Sequence, residues 1–272
     1  MTNRDLDDVT LALDAARAAA EVIRSFANRP LGVRHKSPNQ PLTDADLAAD
    51  ALLRERLMGA RPDYGWLSEE SADSSDRLGR ERVWIVDPID GTRSFIAGRP
   101  EYSISIGLAV AGEARAGVVH NPATREVFWA VRDVGAFHTD EGAAPEAGTR
   151  LHARPAPGAE LLASRSDLTR PWMQELARGY ALKPLGSTAY KLCMVAAGRA
   201  AGYATRGARS EWDVCAGALL IDEAGGRITD ARGERFRFNL GSPHVRGVVA
   251  AAGELHARLV ARGGALSAEE DQ

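Results

Sequence analysis

The alternation of apolar and polar positions predicts helices first, then a run of short strands, then both in turn. Between Leu6 and Phe26, residues Val9, Leu13, Ala16, Ala20 and Ile23 recur near the helical period, so this segment is an amphipathic helix. A polar, proline-containing stretch follows, from Asn28 to Pro41. A second helix begins near Thr43, with Leu47, Ala48, Leu52 and Leu53 on its apolar side. Short strands are expected at Tyr64 to Leu67 and Val83 to Val86. In Tyr102 to Val110, residues Tyr102, Ile104, Ile106 and Leu108 fall at period two. Ala114 to Val119 and Glu126 to Val131 continue as strands around a turn at Asn121-Pro122. Short strands with close turns imply an antiparallel sheet.

Thr139 to Thr149, rich in Gly, Ala and acidic residues, reads as an exposed loop. Beyond it, strands are expected at Glu160 to Ala163, Ala181 to Leu185, Ala201 to Ala204 and Val245 to Ala250. Helices are expected at Trp172 to Arg178, Ala189 to Ala197, Val214 to Glu223 and Glu254 to Ala261. The polar end, Gly263 to Gln272, reads as a disordered tail. The pattern is an α/β (α+β) chain with helices layered on sheets. We expect one domain of two lobes, about 1–140 and about 151–262.

Composition narrows the function classes. The chain has 272 residues, 44% apolar and 26% charged, which suffices for a core without disulfides. A net charge of −3 gives no general attraction to nucleic acid or acidic membranes. The two cysteines, Cys193 and Cys215, sit in apolar helical stretches and read as buried thiols, with a spatial pair as the alternative. No basic segment followed by an apolar stretch marks the N-terminus, and no apolar run approaches the roughly 20 residues that span a bilayer. A cytoplasmic location is the expectation.

Candidate chemistry lies in four acidic places: Thr43-Asp44-Ala45-Asp46, Ser68-Glu69-Glu70-Ser71, Asp87 with Asp90, and Asp213. Taken singly, Asp46 and Asp213 read as helix caps and the glutamates as a solvated pair. The run Asp87-Pro88-Ile89-Asp90-Gly91-Thr92 says more. It follows an apolar strand, at the carboxyl end where α/β proteins bind ligands. Pro88 fixes the backbone, and Gly91 permits a conformation closed to other residues. Such a turn can aim two carboxylates at one point. Hard cations such as Mg²⁺ prefer oxygen ligands, and a pair roughly 4 Å apart clamps both oxygens of a phosphoryl transfer. The six histidines show no ligand spacing.

Three segments together carry a resemblance: Trp66-Leu-Ser-Glu-Glu-Ser71, Trp84-Ile-Val-Asp-Pro-Ile-Asp-Gly-Thr92, and Trp212-Asp213 followed by Ala216-Gly217 and Ala224-Gly-Gly226. In this order they resemble the inositol monophosphatase superfamily. The resemblance implies the αβαβα sandwich of the inositol monophosphatase and fructose-1,6-bisphosphatase type, and a lithium-sensitive, Mg²⁺-dependent phosphomonoesterase with two or three metal ions. It implies that Glu69 and Asp87, with the Ile89 carbonyl, hold one metal, and that Asp87, Asp90 and Asp213 hold another. Asp46 and Thr92 would orient water, with Glu70 an outer carboxylate. Gly91 and Thr92 would meet phosphate, and Gly186-Ser187-Thr188 matches a substrate-contacting loop. A homodimer is compatible with the resemblance.

The substrate rests on other residues. Lys36 to Asp46, with Pro41-Leu42-Thr43, resembles the CysQ-type 3′(2′),5′-bisphosphate nucleotidases, as does Lys191. Where inositol enzymes carry a glutamate, this chain has Ala204-Thr205-Arg206-Gly207, and Arg206 is a candidate for a second phosphate. Ser103-Ile-Ser-Ile-Gly-Leu108 instead reads like the inositol enzymes. The balance favours hydrolysis of 3′-phosphoadenosine 5′-phosphate to AMP, with inositol 1-phosphate or a sugar bisphosphate as alternatives. A non-catalytic regulatory module is the reading of another class, because fold does not fix function. The complete set Asp87, Asp90 and Asp213 speaks against it.

Overall fold

The computed structural model describes residues 3–26, 29–37 and 40–270. Its first half builds a sheet beneath two helices. Helix α1 (Asn3–Ser25) leads to a small hairpin, β1 (Arg34–Ser37) with β2 (Gln40–Leu42), then to α2 (Asp44–Ala60). Strands β3 (Gly65–Ser68) and β4 (Arg82–Asp90) follow, then the one-turn helix α3 (Thr92–Ile96). Next come β5 (Ser103–Val110), β6 (Glu113–Asn121), β7 (Glu126–Val131), β8 (Gly135–Asp140) and β9 (Thr149–Arg150). These strands form one seven-stranded sheet in chain order from β3 to β9. Only the β3–β4 pair in it is parallel.

The second half adds β10 (Leu161–Ala163), α4 (Arg165–Leu168), α5 (Pro171–Leu176), β11 (Leu182–Pro184), α6 (Thr188–Ala196) and β12 (Gly202–Thr205). It ends with β13 (Arg209–Ser210), α7 (Glu211–Glu223), β14 (Arg227–Thr229), β15 (His244–Val245), β16 (Val248–Ala251) and α8 (Gly253–Glu270). A five-stranded sheet runs in the order β11-β10-β12-β16-β14.

Side-chain alternation explains the layers. On β4, Trp84 and Val86 pack with α1 and α2, whereas Val83 and Ile85 point into the core shared with α6 and α7. On β12 and β16, Tyr203, Val248 and Ala250 join that central core, while Ala204, Val249 and Ala251 face Leu176 of α5 and Leu259 of α8. The order is helix, sheet, helix, sheet, helix, the expected αβαβα sandwich. Helix α7 lies very close to the first sheet. A Cβ on Gly107 would stand 2.6 Å from Cys215 Sγ, and one on Gly117 2.9 Å from the Ala216 Cα. Both cysteines are buried free thiols.

Several boundaries differ from expectation. The polar stretch before α2 contains the β1–β2 hairpin, with residues 27, 28, 38 and 39 outside the described set. Strand β8 begins in the segment before the expected loop and takes in Thr139 and Asp140. Its partner β7 offers a free hydrogen-bonding edge, which extends the ladder regardless of the modest apolar content of β8. Helix α8 continues to Glu270 through the segment expected as a disordered tail. Ala265, Leu266 and Ala268 are good helix formers, and they carry the backbone past Gly263-Gly264. Residues 271 and 272 lie outside the described set. No helix among the described residues is long and apolar enough to cross a membrane.

Candidate active site

Strand β4 does not stop at Val86 as its apolar run suggests, but continues through Asp87 and Asp90. Asp87 pairs with Ser105 and Asp90 with Ser103, so three steps on β4 face two on β5. The extra residue is a β-bulge at Pro88-Ile89. In a regular strand, residues three apart point to opposite faces. The bulge cancels that reversal and turns Asp90 toward the side of Asp87, where α6 and α7 begin. Gly91 then takes φ +98, open to glycine, and starts α3 at Thr92.

Two helix starts bring further carboxylates. Thr43 caps α2, and Asp46 Oδ2 accepts from the Thr43 N–H at 2.8 Å and its hydroxyl at 2.6 Å. The other oxygen, Oδ1, accepts from Thr92 Oγ1 at 3.2 Å. That hydroxyl also lies 3.0 Å from the Ile89 carbonyl. On α7, Asp213 Oδ2 accepts from the Ser210 N–H at 3.0 Å. Capping and cavity-lining therefore coincide in Asp213, while Asp46 couples the cap of α2 to Thr92.

Glu69, Asp87 and Asp213 each present an oxygen within 4.8 Å of the others. Asp87 Oδ1 accepts from the Ile89 N–H at 3.0 Å, while its buried Oδ2 has no hydrogen-bond partner. Asp90 Oδ2 accepts from Ser187 Oγ and from the Ala189 N–H, both at 2.6 Å, which ties it to the start of α6. Burial pushes the Asp87 carboxyl well above its usual range, with Glu69, Asp90 and Asp213 adding repulsion. Burial, then Asp90 and Glu69, raise Asp213 to about 8. Asp46 and Asp90 are also raised, chiefly by burial. An all-oxygen, anionic, desolvated set with one unpartnered oxygen suits a hard divalent cation.

Glu70 is not among the residues that line the cavity, and it shares a lysine with Glu69. Lys36 Nζ donates to Glu69 at 2.7 Å and to both Glu70 oxygens at 3.0 and 3.1 Å. Burial and the Glu69 charge raise Glu70 to about 7.

These carboxylates open on a cavity of about 480 Å³. Glu69, Asp87, Asp90 and Asp213 line it together with Gly91, Thr92, Gly186, Ser187, Thr188 and Lys191. Lys191 is 1% exposed; its Nζ donates to the Leu185 carbonyl at 3.2 Å and lies 4.9 Å from the Tyr203 ring centre. Its pKa is lowered by burial. Arg206 is not in the lining; its guanidinium lies 5.8 Å from the Trp172 ring centre. After β12 the Gly207 N–H bonds back to Thr205 Oγ1 at 3.3 Å, and this turn brings Arg209 to the cavity instead. Arg209 donates to Thr205 Oγ1 at 3.3 Å and lies 3.7 Å from Asp167.

Sequence reasoning also missed Arg93, Arg99 and Arg165, which line the same space. Arg93 and Arg99 stand just past the Asp87 to Thr92 run, and that proximity was the available signal. Arg165 makes a bidentate pair with Glu101 at 2.5 and 2.8 Å. No histidine lines the cavity.

Known proteins resemble this chain over most of its length. The pattern of the family described as "Inositol monophosphatase family" matches residues 5–264. A Rhizobium meliloti protein named "Inositol-1-monophosphatase" is 38% identical over 229 residues, covering 80% of this chain and 82% of its own. A Mycobacterium tuberculosis protein named "Histidinol-phosphatase" is 36% identical over 262 residues, covering 94% and 97%. The crystal structure of CysQ from Bacteroides thetaiotaomicron superposes with a TM-score of 0.78 at 28% identity, covering 90% of this chain and 97% of that one.

Proposed function

Because the chain belongs to the inositol monophosphatase family of metal-dependent phosphatases, we propose that it hydrolyses a phosphate monoester bearing a second anionic group, namely 3′-phosphoadenosine 5′-phosphate to AMP and phosphate. The observation that carries this reading is the mixed charge of the cavity lining. Carboxylates suited to cations share it with Arg93, Arg99, Lys191 and Arg209. A phosphate beyond the scissile one is an anionic ligand suited to these side chains.

In this reading Glu69, Asp87, Asp90 and Asp213, with the Ile89 carbonyl, would hold Mg²⁺, and Li⁺ would inhibit by competing for the same oxygens. When bound, the cations supply Lewis acidity at the phosphoryl and leaving oxygens. Asp46, its carboxyl raised by burial, accepts the proton of the attacking water. The Thr92 hydroxyl, fixed between Asp46 and the Ile89 carbonyl, orients that water. Gly91 and Thr92, with Ser187 packed beside Gly91 and Thr188 next to it, line the space for the phosphate.

A second reading has its own support, since relatives at 38% and 36% identity are named for inositol 1-phosphate and histidinol phosphate chemistry. Neither alcohol carries a second anion, so neither would draw on the basic side chains of the cavity in this way. The test compares kcat/KM at fixed Mg²⁺ on 3′-phosphoadenosine 5′-phosphate, inositol 1-phosphate, histidinol phosphate and fructose 1,6-bisphosphate. The bisphosphonucleotide is expected to lead by at least about tenfold, the value of one charge-assisted hydrogen bond. Arg209→Gln should raise its KM about 10- to 100-fold while leaving p-nitrophenyl phosphate hydrolysis nearly unchanged. Equal or faster turnover of inositol 1-phosphate or histidinol phosphate overturns the assignment. EDTA should abolish all of these activities.

A further inference from the structure

Helix α2 carries a second buried carboxylate one turn beyond Asp46. Asp50 is 8% exposed and faces the end of β3 rather than the cavity. Its Oδ1 accepts from Ser68 Oγ at 2.5 Å, and its Oδ2 accepts from Ser71 Oγ at 2.5 Å. Those serines bracket Glu69-Glu70. The clamp continues on both sides. Ser68 Oγ also accepts from the Glu70 N–H at 3.3 Å, and Ser71 Oγ from Trp66 Nε1 at 3.3 Å. The Glu69 N–H donates to the Val86 carbonyl at 3.2 Å, beside Asp87. Among the described residues no cation forms an ion pair with Asp50.

Burying a carboxylate is expensive unless its hydrogen bonds are good, and a neutral side chain could hold a simple turn. Hydroxyl-to-carboxylate bonds of this length are among the strong ones. We propose that Asp50 is a positioning residue for the metal-binding carboxylates. It grips both ends of the Ser68–Ser71 loop, so that Glu69 is presented to Asp87 and Asp213 before a cation arrives. Asp46 and Asp50 ride on one helix, so the same grip sets the water-orienting carboxylate against the metal-binding one. The inference rests on the reading that Glu69 holds a divalent cation.

The test is Mn²⁺ binding to substrate-free protein, followed by the electron paramagnetic resonance signal of free Mn²⁺. Four proteins are compared: wild type, Asp50→Ala, Asp50→Asn and Glu69→Gln. Asp50→Ala should weaken Mn²⁺ binding about 10- to 100-fold, the usual effect of losing a partner of a metal ligand. The Mg²⁺ concentration for half-maximal rate should rise by the same factor. At saturating Mg²⁺, KM should stay within about twofold and kcat should largely recover, which a general loss of structure would not allow. Asp50→Asn keeps the shape but must reverse one hydrogen bond, so an intermediate loss is expected. It carries the test if the alanine variant does not fold. Unchanged Mn²⁺ affinity in folded Asp50 variants, with Glu69→Gln impaired, overturns the clamp alone. Unchanged affinity in Glu69→Gln overturns the metal assignment beneath it.

Discussion

Asp87 has one oxygen held by the Ile89 N–H and one with no hydrogen-bond partner, in a pocket it shares with Glu69 and Asp213. Replacing it by Asn removes a charge but hardly any volume. Turnover by Asp87→Asn should fall by roughly three orders of magnitude, about 4 kcal/mol of transition-state stabilisation. In the metal-free protein the same change relieves repulsion among buried carboxylates, so its melting temperature should rise. Wild-type rates in that variant refute the assignment. Asp87 and Asp90 were legible because a run such as Asp87 to Thr92 has few other uses, whereas Glu69 taken alone read as half of a solvated pair. Asp46 and Asp213 were ambiguous for a physical reason: each accepts the N-cap N–H of its helix, Asp46 while also holding the Thr92 hydroxyl and Asp213 while also lining the cavity. Arg209 was overlooked in favour of Arg206, since the turn at Gly207 that decides between them is a hydrogen bond to Thr205 and leaves no periodic signal.

Elements add what single residues cannot. The strand with clean alternation, β5, was readable from its apolar positions, because Ile104, Ile106 and Leu108 share the face that meets α1 and α2. The bulge in β4 was not readable, since Pro88-Ile89 is compatible with either a turn or a strand. Yet that bulge lets two aspartates of one strand share a face. The seat of α7 is equally demanding. At Gly117 a new Cβ would meet the Ala216 backbone at 2.9 Å, which cannot swing aside as a side-chain tip can. Gly117→Ala should therefore destabilise the protein by about 1–3 kcal/mol in denaturant melts. It should also weaken Mg²⁺ activation, because lifting α7 moves Asp213. A variant as stable as wild type shows that α7 has slack to give.

For the whole molecule, the buried carboxylates link pH, metal and stability. Asp213 is raised to about 8 in the folded protein, against roughly 3.9 in an unfolded chain. Between these values the folded state holds the proton more tightly. Metal-free protein should therefore lose stability as pH climbs from about 4 to about 8. A cation bound only by the folded state adds about 2.7 kcal/mol at a hundredfold excess over Kd, or roughly 5–10 °C in a protein of this size. The gap in melting temperature between Mg²⁺ and EDTA should thus be wide at pH 8 and narrow at pH 5.5. A gap independent of pH argues that these carboxylates are not the binding groups.

The seat of α7 against β5 and β6 also orders events in time. A ribosome releases Glu69, Asp87 and Asp90 well before Asp213, and the early strands alone present an incomplete chelator. Only when the later helix slides into the space left open by Gly107 and Gly117 does the last carboxylate arrive. On the proposed reading, tight capture of a cation then reports a docked α7, and a half-made copy competes poorly for a divalent cation.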